Sequence, residues 1–418
     1  MKTVFSRREF TSLLGLGAAW PFAARLGADD HQANFRIRTI TAGVQLNSLG
    51  DLAPAETALA FLQRARGVLM AAGYEVQTLR LATQPLRSYL PNWQNPASMP
   101  ALQALDQLAQ DNDVACSIGP VITGDHYHQD FAPWAAELVQ KTRNISFSCR
   151  VASPAHGIHP RAFHTAAAAI HAIARATPGG EGNFRFAATA FVPSGTPFFP
   201  AAWFTQGNTF SIGLETPNLL TEVFQESRGL KDAKRRLAAR MEAALGPLAK
   251  HAGELAQSAG WNYLGIDVSP APGLDASIGR AIEVLTRFPF GSSSTLAACA
   301  AITDVLKGLP LQTCGYSGLM LPVLEDPVLA QRAAEGRYGI SELLLYSSVC
   351  GTGLDVVPLP GDTPVEKLAA IIADVAALAT KYHKPLSARL FPIPGKQAGE
   401  KVSFTNPYLT ESVVMAPD

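Results

Sequence analysis

An α/β fold built on a largely parallel sheet is what the sequence predicts, on three observations. Apolar strand-like runs alternate with Ala- and Leu-rich helical runs from residue 35 to about 390, the order that successive βα units produce. No internal repeat and no long linker interrupts the alternation, so one domain is expected over 29–418. The composition, 47% hydrophobic and 16% charged in 418 residues, suits a large packed core.

Taken in order, strands are expected at 35–45, 76–81, 114–118, 145–148, 184–192, 209–214, 263–268, 316–322, 343–349 and 386–391. Helices with apolar residues at three- and four-residue spacing are expected at 55–72 (after Pro54), 161–175, 230–258, 295–307 and 364–381. Ten strands with helical crossovers suit either a closed barrel or two packed sheets.

The first 28 residues read as an export signal. Ser6-Arg7-Arg8-Glu9-Phe10 precedes a weakly apolar stretch broken by Gly15 and Gly17, with a late positive charge at Arg25. These are the marks of a twin-arginine signal. The expectations are cleavage near Ala24 or Ala28, a transient partner in the twin-arginine translocase, and a periplasmic or secreted product. That route carries folded proteins, which raises the expectation of a bound cofactor. Formal net charge is 0, and −3 once the segment is removed, which argues against a nucleic-acid partner. No later stretch stays apolar for the roughly 18 residues that stable membrane insertion needs. The five cysteines are odd in number, so at least one thiol is unpaired.

The richest segment for chemistry ends in Cys350-Gly351-Thr352-Gly353-Leu354-Asp355. A cysteine at the carboxyl end of a strand, between glycines that admit a substrate, suggests a nucleophile or redox thiol with Asp355 as acid, base or orienting group; a buried structural cysteine explains it equally well. Asp267, in Gly265-Ile266-Asp267-Val268-Ser269-Pro270, and Glu325, in Glu325-Asp326-Pro327, also follow apolar runs. Gathered at one place, Asp267, Glu325 and Asp355 would form an acid–base group or ligands for a divalent metal; turn chemistry at Asp267 and a helix N-cap at Asp326 compete with that reading. Ser292, Ser293, Ser294 and Thr295 open a helix and aim amides and hydroxyls at one point, as an anion site would. Arg389, inside a strand-like run, is either an anion clamp or the partner of a core carboxylate. His126 and His128 form a weaker metal candidate beside Asp125. No phosphate-binding loop, dinucleotide fingerprint or G-x-S-x-G motif is present.

Several of these stretches carry a resemblance. Arg38-Thr39 through Gly43, Gly265 through Pro272, Ser277 through Arg280, Ser317-Gly318 through Asp326, Cys350 through Asp355 and Arg389 through Pro392 run in order over about 36–400. They resemble the uncharacterised protein family 0210, also called domain of unknown function family 711. The resemblance implies a ten-stranded α/β barrel of the pyruvate formate-lyase-like class. It brings no established catalytic residues; it strengthens Cys350, Asp355 and Asp267 as site residues, with Ser317, Gly318, Gly351 and Gly353 beside them. The chain departs from the family in its export signal and in its middle third. It has no glycine after Gly399, so glycyl-radical chemistry is not expected.

The function expected from sequence is therefore an exported enzyme acting on a small anionic molecule by thiol- or carboxylate-based hydrolysis or lyase chemistry. The alternative is a periplasmic binding or sensing protein that holds the same ligand without converting it.

Overall fold

The computed structural model describes residues 34–417; the expected export signal at 1–28 lies outside them. The chain begins with four βα units and a further strand. These are β1 (Arg36–Val44), α1 (Ala53–Ala71), β2 (Val76–Thr83), α2 (Met99–Asp111), β3 (Ala115–Ile122), α3 (Phe131–Lys141), β4 (Ile145–Ser153), the short β5 (Gly157–Ile158), α4 (Pro160–Ala176) and β6 (Phe186–Ala190). There follow β7 (Thr209–Glu215), α5 (Pro217–Gln225), α6 (Leu230–Ala259), β8 (Asn262–Pro270), α7 (Ile278–Thr286), α8 (Thr295–Lys307), α9 (Pro327–Ala334), α10 (Ile340–Ser347), β9 (Gly353–Pro360), α11 (Val365–Tyr382), β10 (Leu386–Ile393) and the small hairpin β11 (Lys401–Val402) and β12 (Ser412–Val413).

Ten strands form one sheet in the order β8-β7-β1-β2-β3-β4-β6-β10-β9, with β5 paired to β4. β1, β2, β3, β4 and β6 are mutually parallel. The pairs β7/β8 and β9/β10 are each parallel internally but antiparallel to that block, through β7 on β1 and β10 on β6. β7, β9 and β10 are buried at every position, as strands covered on both faces must be. Helices such as α1 and α11 cover one face. The loop 191–208 covers the other: Thr41 Oγ1 donates to the Pro197 carbonyl at 2.9 Å, Ser117 Oγ to the Ala202 carbonyl at 2.7 Å, and Phe204 N to the Thr83 carbonyl at 3.0 Å.

The strand path is linear, so the sheet is open rather than the closed barrel that the resemblance implied. Two expected strands account for the difference. Residues 343–349 fall mostly in helix α10, not a strand; an apolar run of seven is too short for periodicity to separate the two. Residues 316–322 build no ladder, because the chain turns at Ser317 (φ +41°) and the amides of Tyr316 and Ser317 go to Asp267 and that of Gly318 to Ser269 Oγ. What remains are single bridges, Ile266 to Thr313 on β8 and Pro322 to Asp355 on β9. No helix among the described residues is long and apolar enough to cross a membrane. All five cysteines are free.

Candidate functional site

A cavity of about 520 Å³ lies against the face that the 191–208 loop covers. Strands β1, β2, β9 and β10 contribute Arg38, Arg80, Asp355 and Arg389 to its wall, the inserted loop contributes Phe198 and Phe199, and the segment after α8 contributes Tyr316, Met320 and Glu325. The C-terminal segment roofs it with Asn406 and Tyr408. That roof is tied down by the Glu181 carboxylate, which accepts from Thr405 N (2.6 Å), Thr405 Oγ1 (2.8 Å) and Asn406 N (3.1 Å). Tyr408 also stacks on Phe184, with ring centroids 6.2 Å apart.

Charge in the cavity is arranged asymmetrically. Arg389 Nη1 donates to both Glu325 Oε1 and Asp355 Oδ1 at 2.8 Å; Nη2 donates to the Phe184 carbonyl at 3.3 Å, and the guanidinium lies 5.0 Å from the centre of the Phe184 ring. Arg38 donates to Glu215 Oε2 at 3.0 Å and comes within 4.0 Å of Glu325. Both guanidiniums are thus neutralised by carboxylates. Arg80 is different: it lies 5.0 Å from the centre of the Phe199 ring and makes no ion pair among the described residues. Burial, helped by repulsion from Arg38, pushes its guanidinium down to about 9. Burial also pulls at Arg389, but the attraction of Asp355 and Glu325 outweighs it and holds that guanidinium above its ordinary range.

Hydroxyls and a carboxyl complete the wall. Tyr316 Oη donates to Ser387 Oγ at 3.2 Å, which donates onward to the Thr352 carbonyl at 3.1 Å. Asp355 is 7% exposed; burial raises its carboxyl, Arg389 opposes that, and Glu325 adds to it. Two buried polar atoms of the wall, Thr352 Oγ1 and Arg389 Nε, have no hydrogen-bond partner. A buried polar atom left unpaired costs about 1–3 kcal/mol.

The structure brings together only part of what the sequence suggested. Asp355, Glu325 and Arg389 meet as described, and Arg389 is the partner of core carboxylates rather than a free clamp. Asp267 is elsewhere: fully buried, it accepts from Ser269 Oγ (2.6 Å), Ser269 N (3.1 Å), Tyr316 N (2.8 Å) and Ser317 N (2.9 Å) and so fixes a turn. The metal set of Asp267, Glu325 and Asp355 is therefore not assembled, and no group of three metal-ligating side chains occurs among the described residues. Two of its members are already engaged by Arg389, and the third by four donors. Asp326 caps α9 through Val328 N and Leu329 N and also holds the start of α7 through Ser277 Oγ and Ile278 N.

Cys350 does not end a strand. It follows α10, 1% exposed in the hydrophobic core, and its Sγ receives only the Gly353 amide at 3.5 Å. It is not part of the cavity wall. Gly351 and Gly318 serve chain packing instead of substrate approach: a Cβ on Gly318 would sit 2.6 Å from the Gly351 Cα. Gly353 has φ +90°, and a Cβ there would clash with the Ser387 carbonyl. Ser317 folds back, its Oγ donating to the Cys314 carbonyl at 2.7 Å. Ser292, Ser293, Ser294 and Thr295 start α8 away from the cavity, with Thr295 Oγ1 accepting from Gly291 N at 3.1 Å. Asp125 accepts from Arg161 N at 2.7 Å at the start of α4, and His126 and His128 stand with ring centroids 6.0 Å apart.

Sequence reasoning missed Arg80, Tyr316, Ser387 and Thr352 as wall residues. The signal for Arg80 was present: an arginine inside the apolar run Val76-Gln77-Thr78-Leu79-Arg80-Leu81, the same pattern that singled out Arg389.

The profile of the family described as "Uncharacterised ACR (DUF711)" matches residues 31–406. A UPF0210 protein of Pyrobaculum islandicum is 33% identical over 355 residues, covering 78% of this chain and 76% of that protein. One of Syntrophobacter fumaroxidans is 30% identical over 368 residues, covering 82% and 80%. One of Desulforudis audaxviator is 28% identical over 420 residues, covering 89% of each. With the match spanning nearly every described element and the cavity those elements build, the chain belongs to the DUF711 family, whose members carry the name UPF0210.

Proposed function

We propose that this protein binds a small anionic molecule in the cavity and converts it by acid–base, lyase- or hydrolase-type chemistry. The observation that carries the reading is Arg80, a guanidinium in the cavity wall that packs on Phe199 and makes no ion pair among the described residues. An unpaired buried cation is costly unless a ligand's charge completes it. Asp355 is the proton-transferring group of this reading: it lies in the cavity wall and burial raises its carboxyl above the ordinary value. Tyr316 stands by as a hydroxyl donor. The thiol branch of the expected chemistry has no part in it, because Cys350 lies outside the wall. A screen of small carboxylates with product detection by mass spectrometry tests the reading. Turnover is expected to vanish in Asp355→Asn and to persist in Cys350→Ala; the reverse pattern overturns it.

A second reading, a binding or sensing protein without turnover, is favoured by the absence of Cys and His from the wall among the described residues. Ligand binding with no product across the screen would select it. Export by the twin-arginine route to the periplasm or beyond is part of the proposal and rests on Arg7 and Arg8. Replacing both by Lys is expected to retain the protein in the cytoplasm on fractionation. The proposal also takes the segment 312–323, bridged to β8 and to β9, as the piece that closes the sheet into a barrel of the pyruvate formate-lyase-like class. An experimental structure superimposed on that class tests it.

A further inference from the structure

We propose that the ligand is a short dianion, one charged group held by Arg80 inside the cavity and the other by Arg143 at its solvent edge. This inference rests on the anion reading above and sets the charge of its substrate. The make-up of the lining points that way: six arginines and four carboxylates, with no lysine or histidine among the described residues. Arg38 and Arg389 are paired with carboxylates, and Arg185 spends its guanidinium on the Val139 and Ile145 carbonyls and on Thr142 Oγ1. Arg66 is partly spent, its Nη2 donating to the Val76 carbonyl at 3.3 Å. The side chains of Arg80 and Arg143 make neither an ion pair nor a hydrogen bond among the described residues. Each guanidinium is a fork that fits one carboxylate.

Strand register places the two. Arg80 on β2 pairs with Ala115 on β3; the next residue, Cys116, pairs with Ile145 on β4 and donates its amide to the Asn144 carbonyl at 2.9 Å. Arg143, just ahead of that carbonyl, thus stands two strands from Arg80 at nearly the same height, about 10 Å away between Cα atoms at ordinary strand spacing. Arg143 and Asp113 are exposed and both line the cavity, so it reaches solvent at the N-terminal edge of β3 and β4. There Asp113 is one negative charge against Arg66 and Arg143, and the positive excess draws an anion in. Between the two free arginines, Ala115 and Phe199 present apolar surface that suits a hydrocarbon spacer. A monoanion on Arg80 leaves Arg143 to water, whereas a dianion of matching length engages both.

The test is calorimetric titration of the purified full chain with pairs of equal carbon number: butyrate and succinate, pentanoate and glutarate, hexanoate and adipate. Inorganic phosphate is added as a compact dianion. In at least one pair the dicarboxylate is expected to bind about fivefold more tightly than the monocarboxylate, the strength that an exposed ion pair reaches. Arg143→Gln is expected to bring that ratio within about twofold and to leave the monocarboxylate's affinity unchanged, which also shows that the variant is folded. Arg80→Gln is expected to weaken both members of the pair. Phosphate is expected to bind more weakly than the best dicarboxylate, since it reaches one arginine only. Equal affinity within every pair, an advantage that survives Arg143→Gln, or phosphate binding more tightly than every dicarboxylate overturns the inference while leaving the anion reading in place. Failure of every probe, butyrate included, to bind at millimolar concentration overturns the anion reading itself.

Discussion

Asp267 and Asp355 occupy matching places in the sequence, each an acid in an apolar strand that packs against the 312–323 segment, yet they do opposite things. Asp267 is fully buried and meets four donors, two from Ser269 on its own strand and two from the Tyr316–Ser317 turn. Asp355 is buried beside one guanidinium that it must share with Glu325. The first is a closed account of hydrogen bonds and holds the chain in place. The second is an open one, with unpaired atoms at Thr352 and Arg389 and a cavity in front of it. Burial raises both carboxyls, so a raised pKa does not separate a structural acid from a reactive one; the donors around it do.

The comparison breaks most visibly through Arg389. Arg389→Met leaves Asp355 buried without a counter-charge and Glu325 with only the more distant Arg38, and is expected to cost about 3–5 kcal/mol in chemical denaturation. Asp267→Ala strands two amides at the Tyr316–Ser317 turn and the amide and hydroxyl of Ser269; a loss of about 2–4 kcal/mol is expected on the same assay. If Asp355→Asn costs as much as Asp267→Ala, the distinction drawn between the two acids fails.

The pH dependence sharpens the contrast. Folding raises the Asp355 carboxyl above its ordinary value of 3.8. Its contribution to stability is therefore fully present below that ordinary value and is lost as pH rises through the folded one. Relative to Asp355→Asn, the parent protein should lose stability across that window, by at most about 1.4 kcal/mol per pH unit. Denaturation midpoints of both proteins at a series of pH values check the sign; a difference that grows in the parent's favour as pH rises contradicts it. The smallest effect is expected at the residue the sequence favoured most. Cys350→Ala should cost about 1–2 kcal/mol through a small core void and leave ligand affinity unchanged, which titration of the variant measures.

The elements were largely legible in the sequence because their periodicities are strong. Helix α8 falls on its expected bounds, and the strands of the first block lie within a few residues of theirs. The failures lie where a short apolar run admits two periods, at 343–349, and where a turn diverts amides from a ladder, at 316–322. The site was half legible. Asp355, Glu325 and Arg389 were all picked out as charges within apolar runs, but their pairing is a long-range matter between β9, β10 and the segment before α9. Cys350 looked reactive only while 343–349 was taken for a strand whose end it marked. Arg80 went unnoticed because nothing local distinguishes an arginine that a carboxylate pairs with from one that makes no ion pair.

That last difference is the most direct handle on the whole account. Calorimetric titration of butyrate into the parent protein and into Arg80→Gln, with thermal unfolding of both, isolates the unpaired guanidinium. Loss of a charged carboxylate contact is expected to weaken binding about 30- to 100-fold while the unfolding midpoint stays the same or rises, since the substitution removes a buried charge without a partner. Equal affinity in the two proteins would contradict the claim that Arg80 makes this cavity an anion site.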